Sequence, residues 1–222
     1  AIDGEDIGHA DAALRELIAG DIAGTAKIIV TRGVGPRGYR TADSGPSTVV
    51  VGFEAEASPT GHPQTTGIAA IVCRTRLGRN TALAGMKTLN RLEQVMARME
   101  WDAAQVFEGF MKDEGDLVVC GTMTNVFMVS HGRLITPALD RCGVRGIMRG
   151  LVMELAFAAN MDVQEADCTT PQLEEAAEVF ITNALIGLRP VIRIDERPYK
   201  IGPMTRTIAD RLVAHGVTEA RL

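Results

Sequence analysis

Residues 82–95 read Ala82-Leu83-Ala84-Gly85-Met86-Lys87-Thr88-Leu89-Asn90-Arg91-Leu92-Glu93-Gln94-Val95. Lys87 stands between Met86 and Leu89, at the mouth of an apolar segment. Taking water away from an ammonium group favours its neutral form, and a neutral amine condenses with an aldehyde. The same residue could also be an ordinary surface lysine ahead of a helix. Leu92, Val95, Met96 and Met99 recur at helical spacing. Asn90 with Glu93 three residues on forms a variant of the capping box that would start that helix.

Working outward, the residues before this segment alternate in the manner of strands. The spacing predicts a short amphipathic helix around Ala12, Leu14, Leu17 and Ile18, strands at 26–31, 48–53 and 67–73, and a Gly- and Pro-rich loop over 33–47. The polar run 76–80 reads as a connection between domains. Beyond Lys87, strands are expected at 106–111, 117–119 and 125–129, then a turn at Ser130-His131-Gly132 and a returning strand at 133–136. A helix follows Gly146, with Met148, Leu151, Val152 and Leu155 on one face. Strands at 178–181 and 191–194 and a closing helix around Ile208, Leu212 and Val213 complete the chain. Strands, hairpins and helices in this mixture argue for an α+β (mixed α/β) fold. The domain expectation is a small N-terminal α/β domain over 1–78, a linker at 79–84 and a larger C-terminal domain over 85–222.

The whole chain has 222 residues, 46% of them hydrophobic, and a net charge of -5. That acidic balance, with only nine aromatic side chains, argues against nucleic-acid binding. No apolar run approaches the roughly 18 residues of a membrane helix, so no membrane partner is expected. The acidic start Ala1-Ile2-Asp3-Gly4-Glu5-Asp6 lacks the features of a signal peptide. Cysteines at 73, 120, 142 and 168 and histidines at 9, 62, 131 and 215 fall at no metal-ligand spacing. Reduced thiols in the cytoplasm and no metal are the expectations.

Three other stretches carry chemistry. In Gly143-Val144-Arg145-Gly146-Ile147-Met148-Arg149, a glycine just ahead of an apolar helix exposes N–H groups that suit an anion, although it could equally be a plain turn. Phe180-Ile181-Thr182-Asn183-Ala184-Leu185, followed by Arg189-Pro190-Val191, places hydroxyl and amide groups at a strand end, which could also be an ordinary polar terminus. The loop Val30-Thr31-Arg32-Gly33-Val34-Gly35-Pro36-Arg37-Gly38-Tyr39-Arg40 could aim arginines at carboxylates or be a solvated basic loop.

The run Lys87–Val95 resembles the lysine segment of the class-IV pyridoxal-phosphate-dependent aminotransferase family (fold type IV). Asn90-Arg91-Leu92-Glu93, together with Thr182-Asn183-Ala184-Leu185 leading to Pro190-Val191, is similar to its aminodeoxychorismate lyase branch. The resemblance implies a two-domain fold like that of the D-amino-acid aminotransferases, pyridoxal 5'-phosphate as cofactor and a homodimer acting on a small molecule. It implies a lyase that converts 4-amino-4-deoxychorismate to 4-aminobenzoate and pyruvate in folate biosynthesis. A D-amino-acid or branched-chain aminotransferase, or a degenerate non-catalytic relative, is the alternative. By the same resemblance Lys87 carries the cofactor and moves the substrate proton. Cys120, Thr122, Gly146, Ile147, Met148, Thr182 and Asn183 line the cofactor, and Arg37, Tyr39 and Arg32 face substrate carboxylates.

Two departures stand out. The family has a glutamate five residues before Asn125, where it keeps the cofactor's ring nitrogen protonated, and here that position holds Cys120. A thiol supplies no such charge, so this chain is expected to favour elimination over transamination or to be less active. The family's Tyr-Gly-Asp-Gly motif does not occur here, so the small domain is expected to lack its N-terminal segment.

Overall fold

A computed structural model describes residues 4–18, 24–38, 40, 46–55, 67–102 and 104–222. The chain divides into two compact units, Ala1–Gly61 and His62–Leu222.

In the first unit, helix α1 (Gly4–Leu17) precedes an antiparallel pair, β1 (Gly24–Thr31) and β2 (Thr48–Ala55), in continuous register from Gly24↔Ala55 to Thr31↔Thr48. Ile28, Ile29 and Val30 face Val51, Val50 and Val49 across this pair, and β-branched side chains suit such a pleated surface. The described residues between the two strands are irregular, as the glycines and prolines there predict.

The second unit is built on a ten-stranded sheet. Its strands are β3 (Ile68–Leu77), β4 (Glu108–Asp113), β5 (Leu117–Gly121), β6 (Asn125–Ser130), β7 (Arg133–Pro137), β8 (Val163–Ala166), β9 (Cys168–Thr169), β10 (Glu178–Asn183), β11 (Gly187–Ile194) and β12 (Arg197–Pro198). They run in the order β8-β7-β6-β10-β11-β3-β4-β5-β9, with β12 beside β11. Helices α2 (Leu92–Arg98), α3 (Ile147–Ala158), α4 (Thr170–Glu175) and α5 (Pro203–Ala214) complete the unit. Among the described residues no helix is long and apolar enough to cross a membrane. The β6–β7 hairpin turns through His131 and Gly132, both at positive φ (50° and 76°), the conformation that matches the twist of two-residue hairpins.

The expected domain limits need correction. The sequence places Ile68–Leu77 in the small domain, yet β3 lies inside the larger sheet, parallel to β11 on one side and to β4 on the other. Pairing on both edges ties it to the second unit, so the division falls near 61/62 and 79–84 is an internal connection. The capping box expected at Asn90 is also absent. α2 begins later, its N-cap is Arg91 without a side-chain cap, and Glu93 Oε1 accepts from Gly78 N–H at 2.9 Å instead. The capping box lies at Thr169 and Gln172, ahead of α4.

The central strands are buried on both faces. Val126, Met128, Val179 and Ile181 pack with Phe110, Leu173 and Val191 on one side. Phe127, Val129 and Phe180 point to the other, against Met148 and Val152 of α3 and Ile208 and Leu212 of α5. Phe127 and Phe180 are direct cross-strand partners and stack with ring centroids 4.9 Å apart. A third cluster joins Cys73, Leu77, Met111, Cys120, Leu139 and Cys142 to Ala97 of α2.

Candidate active site

The Lys87 segment is stitched to the turn that starts α3. Gly85 N–H donates to Gly143 O and Arg145 N–H donates to Gly85 O, both at 3.0 Å, and Gly85 bridges Val144 in parallel. Gly85 sits at φ 83°, where a side chain would be strained. A Cβ there would also lie 3.1 Å from Cγ and Cδ of Arg145. Lys87 follows two residues later, so main chain fixes its distance from α3.

The turn itself is held by Asn125, the first residue of β6. Its Nδ2 donates to Val144 O at 2.8 Å and its Oδ1 accepts from Gly146 N–H at 3.2 Å. Gly146 is the N-cap of α3 and no side chain caps the helix. The first N–H groups of a helix have no partner within it, and they face the positive end of its dipole. The first turn carries no acid. Ile147 is exposed and Met148 is buried against the sheet.

Thr182 pairs with Asn125 across β10 and β6. Side chains alternate along a strand, so Thr182, two residues beyond Phe180, shares the face of α3, as does Asn125, two residues before Phe127. The Thr182 hydroxyl is 0% exposed and has no hydrogen-bond partner. A buried polar group without a partner costs about 1–3 kcal/mol. An unpartnered hydroxyl and an uncapped helix start are both groups that an anion can satisfy.

Lys87 departs from expectation, because its side chain is exposed rather than desolvated. The apolar flanks on which that expectation rested, Met86 and Leu89, are themselves 55% and 66% exposed. Among the described residues neither flank shields the amine from water.

Cys120 is buried in the third cluster. Burial first, then the Glu108 charge, pushes its thiol up to about 12, so it stays neutral. Glu108, on β4, is occupied by hydrogen bonds of its own. It accepts from Gly109 N–H, Thr122 N–H, the Thr122 hydroxyl, Met123 N–H and the Thr124 hydroxyl, at 2.6–3.2 Å. The Thr122 proton is therefore committed to Glu108. Asn183 is committed as well. Its Nδ2 donates to Met123 O, and its Oδ1 accepts from the N–H groups of Leu185 and Ile186.

Arg32 and Arg37 are exposed and belong to the first unit, and Tyr39 lies outside the described residues. Sequence reasoning missed Gly85 and the latch function of Asn125. A glycine two residues before the lysine was the available signal for the first. The second depends on a contact across 21 residues that no local pattern encodes.

Comparison with known proteins identifies the family. The family model described as amino-transferase class IV matches residues 5–194. An aminodeoxychorismate lyase of Vibrio harveyi is 36% identical over 84% of this chain and 70% of its own length. A putative branched-chain-amino-acid aminotransferase of Methanocaldococcus jannaschii is 32% identical over 83% of this chain and 65% of its own length. The crystal structure of 4-amino-4-deoxychorismate lyase from Pseudomonas aeruginosa superposes with a TM-score of 0.84 at 38% identity, covering 93% of this chain and 78% of that one.

Proposed function

Given that the chain belongs to the amino-transferase class IV family, we propose that it is a pyridoxal-phosphate lyase that splits 4-amino-4-deoxychorismate into 4-aminobenzoate and pyruvate, a step of folate biosynthesis. The family works with pyridoxal phosphate. The reading rests above all on one observation, the unpartnered Thr182 hydroxyl beside the uncapped start of α3, with the Lys87 segment stitched to the same turn.

The residues fit most of this cofactor. The N–H groups of Ile147 and Met148 and the Thr182 hydroxyl would hold its phosphate, and the accessible Lys87 amine would meet its aldehyde. Cys120, standing where the resemblance expects a glutamate, would leave the ring nitrogen without a carboxylate. When bound, the cofactor supplies an aldehyde that captures an amine and draws electrons from the adjoining carbon. Lys87 Nζ would then take the proton from the substrate carbon bearing the amino group. Departure of the three-carbon side chain as pyruvate leaves an aromatic ring, and the two products account for every atom of the substrate. Arg37, Arg32 and Tyr39 belong to the basic loop that we assign to the substrate carboxylates.

We also assign a homodimer in the cytoplasm. Leu89, Leu92, Val95, Met96 and Met99 form an exposed apolar run through α2, with Met99 81% exposed, and a second copy would cover it. Four buried, unpaired thiols suit a reducing compartment.

The decisive experiment supplies purified protein with pyridoxal phosphate and 4-amino-4-deoxychorismate and follows 4-aminobenzoate by fluorescence. The expected outcome is product formation that Lys87→Ala abolishes. Product from Lys87→Ala at the wild-type rate, or amino-group exchange between D-alanine and a keto acid without any 4-aminobenzoate, would overturn the assignment.

A further inference from the structure

Three arginines follow one another at a spacing of four, at 141, 145 and 149, across the turn and into α3. The outer two find carboxylates. Arg141 pairs with Asp167 and Asp140, and Arg149 is buried against Glu165 at 2.6 Å. Among the described residues Arg145 makes no ion pair and no side-chain hydrogen bond. It is nevertheless placed with care. Its N–H donates to Gly85 O, and its Cγ and Cδ run across Gly85, where any Cβ would press on them at 3.1 Å. The stem therefore lies over the backbone two residues from Lys87, and the residue itself directly precedes the N-cap of α3. We propose that Arg145 is a cationic anchor for the phosphate of the cofactor held at the start of α3.

This rests on the cofactor reading given above and adds a residue to it. The helix dipole, the N–H groups of the first turn and the Thr182 hydroxyl attract an anion without supplying a full charge. No acid stands in that first turn to repel an incoming anion. An exposed guanidinium one residue ahead of the N-cap adds a full positive charge at long range, and its planar fork suits phosphate oxygens. Because Arg145 is exposed, its contribution is modest and sensitive to salt.

The test measures the affinity of the whole chain for pyridoxal phosphate and for pyridoxal, which lacks the phosphate, by absorbance titration at low and high salt. For Arg145→Ala, the affinity for pyridoxal phosphate is expected to fall about fivefold at low salt, a gap that narrows at high salt. Pyridoxal affinity should not move, and Arg145→Lys should keep most of the wild-type value. Unchanged phosphate-dependent affinity in Arg145→Ala, or an equal loss for pyridoxal, overturns the role of Arg145 while leaving the cofactor reading intact. Wild-type protein without any Lys87-dependent uptake of pyridoxal phosphate sinks both together.

Discussion

Asn125 grips Gly146 from across the sheet: its side-chain oxygen accepts the Gly146 N–H at 3.2 Å, while its amide nitrogen holds the carbonyl of Val144 at 2.8 Å. The grip leaves no room for a side chain at position 146. A Cβ there would lie 2.3 Å from Asn125 Oδ1, although the backbone, at φ -65° and ψ 144°, is ordinary for any residue. Gly146→Ala should therefore act through steric conflict alone. We expect a stability loss of about 1–3 kcal/mol and a loss of cofactor uptake, read by urea unfolding and absorbance. A variant with wild-type stability and uptake would show that the turn yields freely.

Thr182→Val should move stability and binding in opposite directions. Removing an unpartnered buried hydroxyl relieves the folded chain, by up to about 1 kcal/mol. The same change takes a donor away from the anion and should weaken pyridoxal phosphate severalfold. Thermal unfolding without cofactor and a binding titration give the two signs. A variant that is markedly less stable would mean that the hydroxyl serves the fold instead.

The buried thiols set an alkaline limit. Burial raises Cys73, Cys120 and Cys168 from 9.0 to about 12 and Cys142 to about 11. Below pH 9 both folded and unfolded chains keep these protons, so the thiols add no pH dependence. Above it the unfolded chain releases protons that the folded chain retains, and stability falls as pH rises. The slope is up to about 1.4 kcal/mol per pH unit for each thiol. Urea unfolding under reductant between pH 8 and 10.5 should show this decline, and Cys168→Ala should make it shallower. An identical slope in the variant would refute the linkage.

Cys120→Glu restores the charge usual in the family at a cost. The new carboxylate would enter an apolar cluster already under the influence of Glu108, so the variant should unfold at lower urea, by a few kcal/mol as an order of magnitude. With the ring nitrogen again facing a carboxylate, transamination should gain on elimination. Measuring both reactions on one preparation checks this, and an unchanged ratio would show that position 120 does not set the partition.

The sheet was legible because its strands carry short β-branched and aromatic runs such as Val126–Val129 and Val179–Ile181, bounded by turn residues and too brief for helices. The helices at 92 and 147 were equally plain from their spacing. Domain limits were harder, since β3 looks the same in a small or a large sheet and only its pairing with β11 and β4 decides. At the site, Gly146 and Thr182 were readable as a glycine before a helix and a hydroxyl at a strand end. The state of Lys87 was not, because desolvation depends on what surrounds an amine in space, and Met86 and Leu89 turned out to stand in water. Thr122 and Asn183 likewise offered the right atoms, but Glu108 and Met123 had already claimed them.

The parallel bridge between Gly85 and Val144 has an implication for how this protein can change. It makes a ruler of the backbone: the span between residue 87 and the start of α3 is set by peptide links, and substitutions at the surface leave it untouched. On the function proposed above, mutations would alter which molecule is welcomed, how tightly, or what becomes of it, and would not readily alter how long that molecule must be.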